Sequence, residues 1–255
     1  MNANDMAIQF KIQGALESMR PVNSGHIHDS HISTWKTSHG PVRYLHQRIN
    51  QTVFPDVAAL MGNLRSITDH LRDRPVPGEK PLTLIPARNG RDTWIDSAGS
   101  HWRTFRYIEN TEVFNLCPDR EHAFEAARMF AGFVARLRDL APASLAVTIP
   151  NFFHTPTRVQ QLEASAATDK AGRLRAARKE VDFVLKRESF WSIISEPLDR
   201  NLLPQRVIHH DPKINNLLFD LDSGKAVCVV DLDTCMPGSV LYDFGDLVRT
   251  AGVDT

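Results

Sequence analysis

The chain has 255 residues, with 30 Lys+Arg against 30 Asp+Glu, a formal charge of zero and 42% apolar content. That balance excludes the basic excess of a nucleic-acid binder and the polybasic anchor of a membrane-surface protein, and no apolar run reaches the ~20 residues of a spanning helix. Cys117, Cys228 and Cys235 are too few and too scattered for a disulfide framework or a metal knuckle, and no basic start followed by an apolar stretch opens the chain, so the expected compartment is the reducing cytoplasm.

Phe10-Lys11-Ile12 opens an extended stretch towards Pro21, and His31 to Trp35 follows after a turn at Asn23-Ser24-Gly25. A turn at Ser38-His39-Gly40 leads to a third strand from Val42 to Ile49, so a hairpin becomes a meander. Then the period changes. Val57, Leu60, Met61, Leu64, Ile67 and Leu71 recur at spacings of three and four, one apolar helix face, and Pro75-Val76-Pro77-Gly78 stops it. Strand patterns return at Leu82 to Ile85, Thr93 to Ile95 and Trp102 to Ile108, separated by turns at Asn89-Gly90 and Ala98-Gly99. Residues 1–110 therefore read as a small antiparallel lobe with one helix inserted after the third strand.

Helical patterns take over beyond a boundary near Asn110 to Pro118, and residues 111–255 read as a second, mainly helical lobe. Asp119 is the predicted N-cap of a helix with the stripe Phe124, Ala127, Phe130, Phe133, Val134 and Leu137. Thr155-Pro156 predicts another start, a cap followed by proline at the first helical position. The stretch from Asp169 to Leu198 reads as partly solvent-facing helix. Its basic run, Lys170 to Arg187, is offset by Glu180, Asp182 and Glu188, and reads as a solvated face rather than a nucleic-acid site.

Chemistry concentrates between Arg206 and Asp246. The loop His209-His210-Asp211-Pro212-Lys213-Ile214-Asn215-Asn216 enters the strand Leu217-Leu218-Phe219; a turn at Asp222-Ser223-Gly224 reverses the chain into Ala226 to Val230, which ends at Asp231. Such a hairpin folds Asn216 back beside Asp231. An amide oxygen and a carboxylate meeting there make an all-oxygen pocket suited to Mg²⁺ rather than zinc. Asp211, five residues before Asn216, lies at its rim. An Asp, an Asn five residues later and a distal metal-binding Asp follow the phosphoryl-transfer template of kinases. In that template Asn216 and Asp231 hold the metal, Asp211 takes the proton of an acceptor hydroxyl, and Lys213 offers a point charge to phosphoryl oxygens. Asp243-Phe244-Gly245 spells the protein-kinase metal motif but follows a turn over Gly238 to Tyr242, not a strand, so Asp243 reads as a buried acid that braces the loop. Asp233 is a second acid near the metal, with a solvated loop acid as the plainer reading.

At His209, Asp211, Asn216 and Asp231 the sequence resembles the aminoglycoside phosphotransferase/choline kinase superfamily. Ser24-Gly25-His26-Ile27-His28-Asp29, Leu45-His46-Gln47-Arg48-Ile49-Asn50, Trp102-Arg103 and Phe153-His154-Thr155-Pro156-Thr157-Arg158 look like N-acetylhexosamine 1-kinases and their relatives. The resemblance implies an α+β, protein-kinase-like fold: an antiparallel N-lobe with one helix, and a helical C-lobe that carries the hairpin and is short of the family's last helices. It implies ATP and Mg²⁺ as co-substrate and cofactor, and a small-molecule hydroxyl acceptor, a sugar or amino alcohol, with the anomeric hydroxyl of GlcNAc or GalNAc as one candidate. Ser24, Gly25 and His26 take the place of the phosphate-covering turn, Arg48 that of the nucleotide-binding lysine, and Tyr107 to Glu109 that of the adenine-facing hinge. The helix after the third strand offers Arg48 no glutamate, only Asp56, Asn63 and Asp69.

Three other readings stay open: another aminoglycoside-, choline- or homoserine-type kinase, a nucleotide-binding pseudokinase, and a metal-dependent phosphohydrolase, which lacks the further acids or histidines of a two-metal site. His26, His28 and His31 read as a polar loop near phosphates rather than a metal set, since His31 falls on the other strand face. His209 reads as a brace for the loop rather than a proton carrier, and Cys228 as buried filler.

Overall fold

A computed structural model describes residues 3–22 and 27–252. A short helix, α1 (Ala3–Ala7), precedes three antiparallel strands, β1 (Ala15–Val22), β2 (Asp29–Thr37) and β3 (Gly40–Arg48). The tight β2–β3 turn works because Gly40 takes φ +105°, a region closed to side chains with a Cβ. Helix α2 (Val57–Arg72) follows, with the Asp56 carboxylate accepting from the Ala59 N–H at 2.9 Å as its cap. The stripe expected from spacing is the one it buries: Val57, Leu60, Met61, Leu64 and Ile67. Strands β4 (Leu84–Ile85), β5 (Trp94–Ile95) and β6 (His101–Arg106) complete the sheet in the order β1-β2-β3-β6-β4, with β5 also on β6.

Side-chain alternation gives this sheet two different faces. Leu45 and Phe105 point to a core shared with α2 and the helical half, which includes Phe54, Leu64, Phe130, Phe133, Leu217 and Phe219. Trp35 and Tyr44 point the other way, to a second core closed by Met6, Phe10, Ile12 and Ala87. The N-terminal segment is therefore a lid on the outer face. Sequence reading misses α1, whose five residues are too few for a period to register, and takes Phe10 as a strand start where it makes an isolated bridge to Ala87. Within the outer core, His46 lies between the Ser33 and Thr104 hydroxyls, 2.7 Å from each.

Strand β7 (Thr111–Glu112) leaves the sheet and pairs instead with Phe219 and Asp220, in a hairpin of the second half. Helix α3 (Arg120–Arg136) is capped by Asp119, as expected, but buries Ala126, Met129, Phe130 and Phe133. Phe124 is 67% exposed; the buried stripe differs from the expected one by about half a turn at its start, where several alanines fit either face. Helix α4 (Thr155–Thr168) is capped by the His154 side chain rather than Thr155, which already lies in the first turn. Helices α5 (Leu174–Leu185), α6 (Glu188–Trp191) and α7 (Ser195–Asp199) are largely surface elements.

The last segment contains β8 (Arg206–Ile208), β9 (Leu217–Asp220), β10 (Ala226–Val229), β11 (Met236–Gly238) and α8 (Val240–Ala251). Strand β11 pairs with β8, and α8 starts at a Ser239 cap, within the stretch that sequence reading takes as a turn before a helix opening at Phe244, Leu247 and Val248. The fold is α+β: an antiparallel sheet lobe followed by a mainly helical lobe that carries the β9–β10 hairpin. The buried Asn63 of α2 joins the two, donating to the Ala146 carbonyl at 2.8 Å and the Cys235 carbonyl at 3.2 Å while accepting from the Ala146 N–H. Among the described residues no helix is long and apolar enough to cross a membrane.

Candidate active site

The hairpin is closed by Gly224, at φ +66°, whose N–H donates to the Asp220 carbonyl at 2.8 Å. Its register pairs Phe219 with Ala226 and Leu217 with Val229. At the open end the Val230 N–H donates to the Asn216 carbonyl at 2.9 Å, which sets Asn216 against the residue before Asp231. The amide Nδ2 of Asn216 donates to Asp211 twice, to the backbone carbonyl at 2.8 Å and to Oδ2 at 3.0 Å. Its carbonyl Oδ1 is thereby the atom left for a cation.

Lys213 reaches the same Asp211 Oδ2 at 2.7 Å. Two donors converge on one oxygen, and Asp211 Oδ1 has no hydrogen-bond partner among the described residues. A carboxylate held by one oxygen and open at the other can take a proton from a hydroxyl placed before it.

Three buried groups hold this loop. The His209 and His210 N–H groups donate to Asp243 Oδ2 and Oδ1 at 2.7 and 2.8 Å, so Asp243 is the brace its sequence context suggests. His209 Nδ1 accepts from the Asp211 N–H at 3.2 Å, which makes Nε2 the protonated nitrogen, and that donates to the Val230 carbonyl at 3.0 Å. Burial lowers the His209 pKa, against a smaller opposing pull from Asp243. Its ring sits edge-on to Phe130 at 5.3 Å. His210 adopts φ +64° and stacks on Phe153 at 5.5 Å. A Cβ on Gly238 would lie 2.7 Å from Ile208 Cδ1 and 2.8 Å from His210 Nε2. Gly238→Ala should therefore cost about 1–3 kcal/mol in a urea melt and reduce turnover, because the displaced ring adjoins Asp211; an unchanged midpoint would show that the ring has room to move.

Asp231 is at φ +60°, the left-handed region, where the chain enters a 3-10 helix over Leu232–Thr234. Its carboxylate is open to solvent yet hemmed by protein, and it accepts no hydrogen bond among the described residues. Loss of hydration raises its pKa, and the negative charges of Asp233 and Asp211 add to this while Arg103 opposes it. A carboxylate of this kind, on the residue after the one whose N–H bonds the Asn216 carbonyl, matches the hard oxygen donors and low protein ligand count of Mg²⁺. No cluster of three or more His, Cys, Asp or Glu side chains able to hold a metal occurs among the described residues.

Asp233 is not a solvated loop acid. It is 2% exposed and paired with Arg103 of β6 at 2.5 and 2.7 Å and with His28 Nε2 at 2.6 Å. Burial alone would raise its pKa; the Arg103 charge and the hydrogen bonds from His28 and Arg103 outweigh that and hold it well below the usual carboxylate range. Sequence reading takes His28 as part of a polar loop near phosphates and names Arg103 only within the family likeness, since nothing local ties either to a residue 130 or 205 positions away.

The structure does not bring Arg48 to this cluster. Gln47, its neighbour, bonds Arg103 on the inward face, so Arg48 projects outward and pairs with Asp29, its cross-strand neighbour in β2. Among the three candidates read from the sequence, Asp56 caps α2, Asn63 is the buried staple, and Asp69 pairs with Arg72 at 2.7 Å. Counting alternation from Gln47 would have found this. Tyr107 and Glu109 lie in the connection from β6 to β7: the Arg43 guanidinium covers the Tyr107 ring at 4.3 Å and pairs with Glu109, while Lys80 donates to the Glu109 carbonyl at 3.1 Å. Ser24, Gly25 and His26 fall outside the described residues.

Burial lowers the pKa of His46 to about 3 and that of His210 to about 4. Both stay neutral in the fold at pH values where the unfolded chain, titrating near 6.5, is already protonated. The stability they allow is therefore complete above pH 6.5 and is lost as pH falls towards 4, at up to about 1.4 kcal/mol per pH unit for each histidine. Urea melts from pH 7.5 to 5 should show the decline; a flat profile would contradict burial of both rings.

Comparison with known proteins gives a family and a fold. A sequence profile described as "Phosphotransferase enzyme family" matches residues 19–255. An aminoglycoside phosphotransferase from Alicyclobacillus acidocaldarius superposes with a TM-score of 0.57 at 12% identity, over 98% of this chain and 71% of that one. An ethanolamine kinase from Plasmodium vivax gives 0.54 at 13% identity, over 92% of this chain and 61% of its own. A choline kinase from Cryptosporidium parvum gives 0.50 at 14% identity, over 90% and 60%. At such identities the structural likeness carries the fold, which is kinase-like.

Proposed function

We propose that this chain, which belongs to the phosphotransferase enzyme family, is a small-molecule kinase that moves the γ-phosphoryl of ATP to a hydroxyl of a sugar-like acceptor. The observation that carries the reading is Asp211 fixed through one oxygen by Lys213 and Asn216, with, across the hairpin, the carboxylate of Asp231, which accepts no hydrogen bond among the described residues. In this reading residues 1–110 cover the nucleotide and residues 111–255 supply the catalytic groups. Asp211 Oδ1 orients the acceptor hydroxyl and accepts its proton as the oxygen attacks phosphorus. Lys213, already on Asp211, turns its charge to the transferred oxygens as that carboxylate is neutralised. Asn216 Oδ1 and Asp231 would hold Mg²⁺, which when bound neutralises phosphate oxygens. In the same reading Tyr107 and Glu109 would flank the adenine, and Ser24, Gly25 and His26 would cover the phosphates. Transfer releases ADP and a phosphorylated acceptor, whereas hydrolysis releases ADP and inorganic phosphate, so phosphate release separates the two.

The finer assignment is the anomeric hydroxyl of an N-acetylhexosamine, supported by the sequence likeness around Gln47-Arg48-Ile49-Asn50 and Phe153 to Arg158. The solved neighbours are named for aminoglycosides, ethanolamine and choline, so the test is ADP formation from ATP with GlcNAc, GalNAc, ethanolamine, choline and an aminoglycoside. Turnover with the N-acetylhexosamines supports the assignment, and turnover with an amino alcohol alone redirects it. A second reading, nucleotide binding without turnover, is favoured by Arg48, which faces outward and pairs with Asp29. It predicts that MgATP raises the melting temperature while no acceptor yields ADP.

A further inference from the structure

We propose that Arg103, Asp233 and His28 form a positioning assembly that fixes Asp231, so that the sheet lobe itself sets the geometry of the metal-facing carboxylate; the inference rests on the reading of Asp231 as a metal ligand. The Arg103 fork meets both Asp233 oxygens, at 2.5 and 2.7 Å, with side chains only 3% and 2% exposed. Its Nε and Nη2 are held in turn by Gln47 Oε1 at 3.1 and 2.9 Å. His28 Nδ1 accepts from the Asn50 N–H at 3.1 Å, so Nε2 carries the hydrogen that it donates to Asp233 at 2.6 Å. Arg103 of β6, braced by Gln47 of β3, and His28, just before β2, thus converge on a single carboxylate from the other half of the chain. With its oxygens occupied by these donors and little of it exposed, Asp233 acts as an anchor and not as a ligand.

The anchor is applied two residues beyond Asp231, within the 3-10 helix that begins there. Thr234 Oγ1 donates to the His209 carbonyl at 2.7 Å and Thr148 Oγ1 to the Asp233 carbonyl at 3.2 Å, so the backbone after Asp231 is tied on both sides. A left-handed non-glycine residue is strained by the order of 1–2 kcal/mol and persists where its surroundings over-determine it. Stability alone does not account for such a pair, because apolar residues of like volume often serve the fold equally well. What a buried fork adds is direction. It also ties the end of the β1–β2 connection to the metal side, since His28 lies just after that connection.

The test uses the double variant Arg103→Met/Asp233→Asn. It removes one charge of each sign, leaves the net charge near Asp231 unchanged, and keeps an acceptor for His28. Calorimetric titration gives the ADP affinity with Mg²⁺ and with EDTA, and their ratio reports metal holding without any need for turnover. The wild-type ratio should fall about 10–100-fold in the variant, the range for loss of groups that orient metal ligands, while ADP affinity in EDTA and a cooperative melt are retained. A variant that folds and keeps the wild-type ratio overturns the positioning role and leaves the kinase reading standing. A wild-type chain whose ADP affinity ignores Mg²⁺ overturns both. If the double variant does not fold, Arg103→Lys decides: it keeps the charge and loses the fork, so an unchanged ratio refutes the proposal and a reduced one supports it.

Discussion

Asp211→Asn is expected to lower kcat by roughly 10²–10⁴-fold, the contribution of a positioned general base, while the KM for MgATP changes little. The loop that presents the side chain does not depend on its charge: the His209 and His210 N–H groups are held by Asp243, and Asn216 also donates to the Asp211 backbone carbonyl. An amide at 211 can still accept from Lys213 through its oxygen, so the fold and the lysine position should survive. What is lost is the capacity of Oδ1 to take a proton. Steady-state kinetics with the best acceptor, together with a melting curve, separates the two effects. A variant with wild-type kcat would remove Asp211 from the chemistry.

Asp231→Asn should produce two opposite changes. Turnover at fixed Mg²⁺ should fall about 10³-fold, since metal stabilisation of transition-state charge amounts to several kcal/mol and each 1.36 kcal/mol is tenfold. Stability without metal should rise. Asp231 has a pKa raised by lost hydration and by Asp233 and Asp211, so its ionised form is the less favourable state in the fold at neutral pH. The sign follows: a carboxylate whose folded pKa lies above its unfolded one weakens the fold once the pH exceeds both, and the neutral amide relieves this. Asparagine also tolerates the φ +60° that the position demands. Differential scanning calorimetry in EDTA should therefore show a higher melting temperature for the variant, and added MgADP should raise it less than in the wild-type chain. A variant that melts lower in EDTA would show that the carboxylate serves the fold rather than a cation.

Much of the site is legible in the sequence because its parts are local. Asp211 and Asn216 share one loop, and the Asp222-Ser223-Gly224 turn announces the hairpin that returns Asp231 to them. The stripe of α2 is equally plain, with one apolar face and a proline stop. Legibility ends where a residue's role depends on which face of a strand it occupies or on a partner far along the chain. Arg48 and Gln47 are neighbours in sequence and opposites in space, and it is Gln47 that reaches the site, through Arg103. Asp233 looks like a loop acid until the sheet supplies Arg103 and His28. Strand β11 is hidden by its proline and glycine, and its glycine is needed for contact with His210 rather than for a turn.

A crystal structure of the chain with Mg²⁺ and a non-hydrolysable ATP analogue tests the central claim most directly. The account predicts a cation about 2.0–2.1 Å from both Asn216 Oδ1 and an Asp231 oxygen, the distance magnesium requires, with Asp211 Oδ1 facing the γ-phosphate. A cation held by Asp233 or Asp243, or a nucleotide bound away from the β9–β10 hairpin, would contradict it.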